Sequence, residues 1–488
     1  MGKIGALCCI VLLLCLAPAA GAEDVSGESC VVESSGIPAA AGLFDMDLET
    51  TQRCQANARV RFFYEEGIAS LYLVFDREYG FVTLTEEEAG KAVAVSTDGM
   101  LHFFLDLEEY FGHPPRALTL RFPTGGACVN ELRLFSPGEL PDWVQRWEKI
   151  PDGEADLLLL STHGDDEQLF FAGLLPWYAG EKGYRVQVVY FTDHRNLNEH
   201  RVHEMLNGLW AVGVRDYPVF GPFEDYYTFD MEDAYRFYES SGYPRQALLA
   251  FVTEQLRRYR PLVAVGHDVK GEYGHGMHQL TADLLMEAVQ ISSEPDAFPE
   301  QERQYGTWLV PKTYLHLYGE NPIVMDWDIP LDSFGGMTAF EVTKQMGFVC
   351  HASQVSDFAW YFRGADRAAD VIKYSPCQYG LYQTDVGEDT GKGDFFEHLE
   401  EYLVDSNGAE LPPETEPTPA DAAPIPEIAS FQQPPESAPS TPPPTIQPEQ
   451  TEADKLWVKN WIILPAVGTV VLTVLTVCLS VPASKEKF

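Results

Sequence analysis

From Glu154 onward, short unbroken apolar runs alternate with stretches of helical periodicity. Leu157–Leu160 and Leu262–Val265 are apolar at successive positions, and Val186–Phe191 at every position but Gln187, the pattern of strands buried on both faces. Between and after them, Leu169–Leu174, Glu199 to about Val212, Ala247–Tyr259 and His278–Val289 read as helices. A further run, Tyr314–Tyr318, precedes a helical stretch from Ala339 to Met346. Strand–helix repetition of this length predicts an α/β fold, a Rossmann-like, mostly parallel sheet with helices on both faces, over residues 150–403. Residues 24–145 lack helical periodicity. Their short runs, Ala58–Phe63, Ala69–Phe75, Leu101–Leu105, Ala117–Phe122 and Val129–Phe135, are spaced by turn residues and predict a preceding all-β sandwich of jelly-roll type.

The two ends follow other patterns. Lys3, the apolar stretch Ala6–Leu16 and Ala20-Gly21-Ala22 have the layout of a signal peptide over residues 1–22. From Val404 to about residue 455 Pro, Glu, Thr, Ser and Ala dominate and Lys and Arg are almost absent, as expected of a disordered stalk. Trp461–Val481 carries no charge and is long enough to span a bilayer, with Trp457 and Trp461 at one edge and Lys485 and Lys487 in a short tail, 482–488. The expectation is a single-pass cell-surface protein with an exported N-terminal ectodomain. A formal net charge of -41 argues against nucleic acid as a partner, because like charges repel. Beyond the signal peptide five cysteines remain, Cys30, Cys54, Cys128, Cys350 and Cys377. They resemble no zinc finger, and two bridges or buried free thiols are equally open readings.

Chemistry-bearing residues gather just past the predicted strands. Thr162-His163-Gly164-Asp165-Asp166-Glu167 lies on the turn after Leu157–Leu160, and Gly271-Glu272-Tyr273-Gly274-His275-Gly276-Met277-His278 follows Leu262–Val265. The carboxyl ends of parallel strands are where an open α/β sheet presents ligand-binding groups. Two imidazoles and a carboxylate converging there with room for water make a catalytic rather than a structural metal site. His200 and His203 read as solvent-facing residues of a helix.

Together these motifs resemble the PIG-L/LmbE-like superfamily of zinc-dependent N-deacetylases, which act on N-acetylglucosamine-containing substrates. The family's Ala-His-Pro-Asp-Asp-Glu stands here as residues 162–167, its Arg and Glu on a helix as Arg201 and Glu204, and its Gly-His-Pro-Asp-His as residues 274–278. Its later Lys and His-x-Ser-Gln match Lys344 and His351-Ala352-Ser353-Gln354. The resemblance implies Zn2+ held by His163, Asp166 and His278, Asp165 as general base, and His275 as oxyanion stabiliser and, when protonated, aid to the leaving group. Glu167 is expected to orient a ligand histidine, Arg201, Glu272 and Tyr273 to contact the sugar, and His351 either to line the substrate pocket or to support the site from behind. Two prolines of the family are glycine here, Gly164 and Gly276. The aspartate that would orient a histidine is Met277. Residues 24–145 also resemble, loosely, the discoidin-like galactose-binding jelly roll, which implies a second glycan contact or a packing module. The alternatives are an iron oxygenase with the same ligand types, disfavoured by the βα pattern, and a non-catalytic glycan-binding protein, to which only Met277 points.

Overall fold

The computed structural model describes residues 21–27, 30–193 and 200–405. Residues 1–20 of the expected signal peptide, the expected stalk from 406 on and the segment 461–481 lie outside them. Residues 404 and 405, assigned to the stalk from sequence, still belong to a helix, Glu400–Asp405. Among the described residues no helix is long and apolar enough to cross a membrane.

Two antiparallel sheets form the N-terminal part. One contains β1 (Val31–Ser35), β3 (Ala58–Phe63), β5 (Phe81–Glu86), β6 (Lys91–Ser96) and β8 (Ala117–Phe122) in the order β1-β3-β8-β5-β6. The other contains β2 (Gln52–Arg53), β4 (Ser70–Phe75), β7 (His102–Asp106) and β9 (Cys128–Phe135) in the order β2-β9-β4-β7. On β3, Ala58, Val60 and Phe62 are buried while Arg59, Arg61 and Phe63 are exposed, the period of two that puts one face of a strand in a core. Leu118, Leu120 and Phe122 of β8 and Leu71, Leu73 and Phe75 of β4 enter the same apolar cluster. A one-turn helix, α1 (Leu107–Phe111), follows β7 and is capped by Asp106. Cys54, Cys128, Cys350 and Cys377 are free thiols, so a bridge between Cys350 and Cys377, one of the readings left open, is not formed.

The second part is built on β10 (Leu157–Ser161), β11 (Val186–Asp193), β12 (Val219–Glu224), β13 (Val263–Gly266), β14 (Lys312–His316), β15 (Pro322–Val324) and β16 (Gln378–Thr384), ordered β12-β11-β10-β13-β14-β16-β15. The first five are parallel and the last two antiparallel to their neighbours. Successive residues of β10 divide between two clusters, Leu157 and Leu159 on one side and Leu158 and Leu160 on the other. This is why its sequence is unbroken Leu: both faces are covered. One face packs against α3 (Arg201–Ala211). The other packs against α4 (Met231–Ser240), α5 (Arg245–Tyr259) and α6 (Gly276–Ile291).

The helix expected over Leu169–Leu174 is only a short α2, Asp166–Leu169, followed by turns. Gly173, within those turns, takes φ +93, and a Cβ there would stand 2.3 Å from Trp327. Residues 21–405 fall within one compact unit, because the N-terminal sheets share an apolar cluster with one face of the parallel sheet.

Candidate active site

The site lies at the carboxyl ends of β10, β12 and β13. After β10 the chain turns through His163–Asp165 into α2, and the Asp166 carboxylate folds back to accept the His163 backbone N–H at 2.8 Å. After β13 a 3-10 turn at Glu272–Gly274 leads into α6, which carries His278 in its first turn. Nδ1 of His163, Nε2 of His278 and Oδ2 of Asp166 then stand 3.0, 3.1 and 3.3 Å from one another.

The far side of each imidazole is committed to a carboxylate. His278 Nδ1 donates to Glu272 Oε2 at 2.7 Å, and His163 Nε2 donates to Asp225 Oδ1 at 3.1 Å. Protons on those nitrogens leave lone pairs on the two nitrogens that face each other and Asp166. Three lone pairs this close repel unless a cation lies among them. Ligands about 2.0–2.1 Å from a tetrahedral zinc are roughly 3.3 Å apart, so this triangle fits zinc. The surrounding carboxylates favour a positive charge here, whether a metal ion or a proton on each ring. Burial lowers the pKa of His163, yet Asp225 and Asp166 hold it up at about 10. Asp166 and Glu272 likewise hold His278 at about 9 against burial. Asp166 itself is kept well below the usual carboxylate range, because His278 and His163 outweigh the effect of burial. The pocket gathers positive charge.

Asp165 points elsewhere. Its Oδ2 is buried and pairs with Arg201 Nη2, at 3.3 Å. Burial pushes its pKa up to about 6, with Arg201 opposing the rise. That value suits a base at neutral pH.

His275 lies edge-on to His163, ring centroids 4.9 Å apart, and its Nδ1 accepts the Met277 N–H at 3.3 Å. Its proton is therefore on Nε2. Burial, His163 and His278 push its pKa down to about 2. A neutral imidazole with that proton can donate from Nε2 to a developing oxyanion.

The structure brings Arg201 and Tyr273 into the pocket with His163, Asp165 and His275. Tyr273 holds a left-handed backbone (φ 46), which a tyrosine adopts only when its surroundings impose it.

The sugar-contact expectation for Glu272 is corrected, and of the two readings of His351 the substrate-pocket one is set aside. Glu272 is wholly buried and accepts from His278 Nδ1 at 2.7 Å, His267 Nδ1 at 2.8 Å and His316 Nδ1 at 2.6 Å. His351 is also wholly buried, with Nε2 3.0 Å from Glu167 Oε1. Glu167 therefore faces His351 rather than a ligand histidine. Glu204 accepts from the Ser353 N–H and hydroxyl at 2.9 and 2.6 Å, so it and Arg201 serve different partners. His203, expected at the surface, is buried against His102, with Nδ1 2.9 Å from His102 Nε2.

Sequence reasoning missed Asp225, His267 and His316. All three follow or end parallel strands, the position that marked His163 and His278. His267 joins Asp166 and His278 in a second cluster of metal-type groups. Its Nε2, however, accepts the Thr162 N–H at 3.0 Å and its Nδ1 serves Glu272, so it positions rather than ligates.

The departures from the family pattern have local causes. Met277 points into the apolar cluster of α4, α5 and α6, where a carboxylate would be stranded, and Glu272 orients His278 instead. At Gly276 a Cβ would stand 2.7–2.9 Å from the backbone of Asp230, whose loop accepts the Gly276 N–H through Thr228 at 2.7 Å. Proline could neither donate that bond nor fit.

Residues 158–289 match the family described as PIG-L, GlcNAc-PI de-N-acetylase. A curated relative, 1D-myo-inositol 2-acetamido-2-deoxy-alpha-D-glucopyranoside deacetylase 1 of Frankia alni, is 27% identical over 180 residues, 32% of this chain and 60% of the relative. The chain thus spans under two thirds of that relative's length. Among solved structures, N,N'-diacetylchitobiose deacetylase from Pyrococcus horikoshii is similar at 15% identity and TM-score 0.31, over 46% of this chain and 82% of that one. A conserved protein from Thermus thermophilus is similar at 19% identity and TM-score 0.28, over 44% of this chain and 91% of that one. Residues 158–289 of this chain are therefore a PIG-L domain.

Proposed function

We propose that this protein is a zinc-dependent N-deacetylase that hydrolyses the acetamide of an N-acetylglucosamine-containing glycan or glycoconjugate. The observation that carries the reading is the triangle of lone pairs on His163, Asp166 and His278 beside a separately held Asp165. A zinc ion bound by those three groups supplies a Lewis acid that polarises the acetamide carbonyl and acidifies water. Asp165 takes the proton of the attacking water. The Nε2–H of His275 donates to the carbonyl oxygen as it becomes an oxyanion. Asp165 then returns its proton to the nitrogen as the C–N bond breaks, giving acetate and a free amine. Arg201 keeps Asp165 ionised and oriented, and Tyr273 bounds the pocket on the sugar side.

The two N-terminal sheets are read as a β-sandwich whose role is to pack against α3. The His102–His203 bond and the Trp210 Nε1–H bond of 2.7 Å to the Asp142 carbonyl support this. We read the terminal sequences as an export signal and a C-terminal membrane anchor, and on that reading the enzyme works at the cell surface. Acetate release from N-acetylated amino sugars, with and without a chelator, tests the function. Release that a chelator abolishes and zinc restores is expected, and chelator-resistant release contradicts it.

A further inference from the structure

Six aromatic rings form a continuous arc across the reaction centre. Phe229 contacts Tyr227 (centroids 5.2 Å), Tyr227 contacts His275 (5.2 Å) and His275 contacts Tyr273 (5.4 Å). Tyr273 then neighbours Phe358 (6.4 Å), and Phe358 neighbours Trp360 (6.5 Å). The reaction centre sits in the middle of this arc, and the ends reach solvent. Tyr227 is 68% exposed, Phe229 60% and Trp360 39%.

We propose that the arc is an extended sugar-binding groove, and that the enzyme acts on an internal residue of a linear N-acetylated oligosaccharide rather than on a single free amino sugar. The inference rests on the deacetylase reading above. Large exposed aromatics cost solvation unless something covers them, and two such groups flank one polar cavity of about 520 Å³. A pyranose has an apolar C–H face and a polar rim, so it covers an aromatic ring while its hydroxyls reach polar neighbours. Those neighbours are present: Asp357 and Lys373 line the cavity beside Trp360, and Lys373 Nζ lies 5.9 Å from the Trp360 ring centre.

The opposite arm is a built feature. The buried Thr228 accepts the Gly276 N–H at 2.7 Å, which fixes the strip and turns Tyr227 and Phe229, on either side of it in sequence, outward. Gly276 permits that approach, since a Cβ there would collide with the Asp230 backbone. A monosaccharide fills only the centre and leaves both arms bare.

The test is the rate of acetate release by the full chain, loaded with zinc, from N-acetylglucosamine and its di-, tetra- and hexasaccharides. The same series is run on Trp360→Ala and Phe229→Ala, two exposed positions whose truncation leaves the core intact. kcat/KM should climb with chain length in the unaltered protein. In each variant the climb should flatten, with a loss of roughly 3–10-fold for the hexasaccharide and a smaller loss for shorter substrates, mainly in KM. Equal kcat/KM at every length, or variants whose losses do not depend on length, overturns the inference while the deacetylase reading stands. Absence of acetate at every length from the zinc-loaded protein overturns the deacetylase reading itself.

Discussion

Glu272 accepts a 2.7 Å hydrogen bond from Nδ1 of His278, and the same carboxylate gathers His267 and His316. Burial alone would raise its pKa, but the three imidazoles hold it well below the usual carboxylate range. Its negative charge strengthens the lone pair that His278 turns toward Asp166. The orienting carboxylate that Met277 lacks is thus supplied from six residues upstream of His278. Glu272→Gln keeps the shape and removes the charge, so zinc affinity should fall roughly 10–100-fold. Competition against a chelator of known affinity measures this, and unchanged affinity would show that Glu272 does not tune the metal.

The pKa of Asp165, raised to about 6, sets the acid limb of activity. Below that value the carboxyl keeps its proton and cannot accept another, so kcat/KM should rise through about pH 6 and level above it. Arg201 stabilises the ionised form, so Arg201→Gln should move the limb to higher pH as well as lower the rate. A pH–rate profile of both proteins decides it. An unmoved limb in the variant assigns the limb to another group.

The strand–turn–helix units that carry the ligands were legible from sequence, and the reason is local. The proposed ligands lie within a few residues of apolar strands or of the helices after them, so pattern and motif alone single out His163, Asp166 and His278, and the structure brings these three together. The partners that hold them could not. Asp225 follows β12, whose Gly221 and Pro222 interrupt the apolar run. Proline is tolerated there because β12 is an edge strand of its sheet. Glu272 looked like a pocket residue because its neighbour Tyr273 is one, and only the tertiary packing of His267 and His316 buries it. His203 read as a surface histidine because nothing in α3 reveals that a second sheet covers that side.

That covering makes its own prediction. His102 and His203 are buried and bonded at 2.9 Å, and Tyr72 also meets His102. His102→Leu removes a bond from each of these two buried partners, at a cost of about 1–3 kcal/mol. The double variant His102→Leu/His203→Leu should cost less than the sum of the single changes. Because the sheets share a core with α3, denaturation should proceed in one transition. Two separate transitions, or additive single effects, would show that the N-terminal sheets fold independently of the catalytic part.

The two adjacent aspartates carry the central claim, that one holds metal and the other moves a proton. Zinc content and acetate release measured together on Asp165→Asn and Asp166→Asn test it most directly. Asp165→Asn should keep its zinc and lose about 10²–10⁴-fold in turnover. Asp166→Asn should lose zinc, because an amide is a poorer ligand than a carboxylate. Zinc lost from Asp165→Asn and retained by Asp166→Asn would reverse the two roles, and full activity with zinc in both would place the reaction elsewhere in the protein.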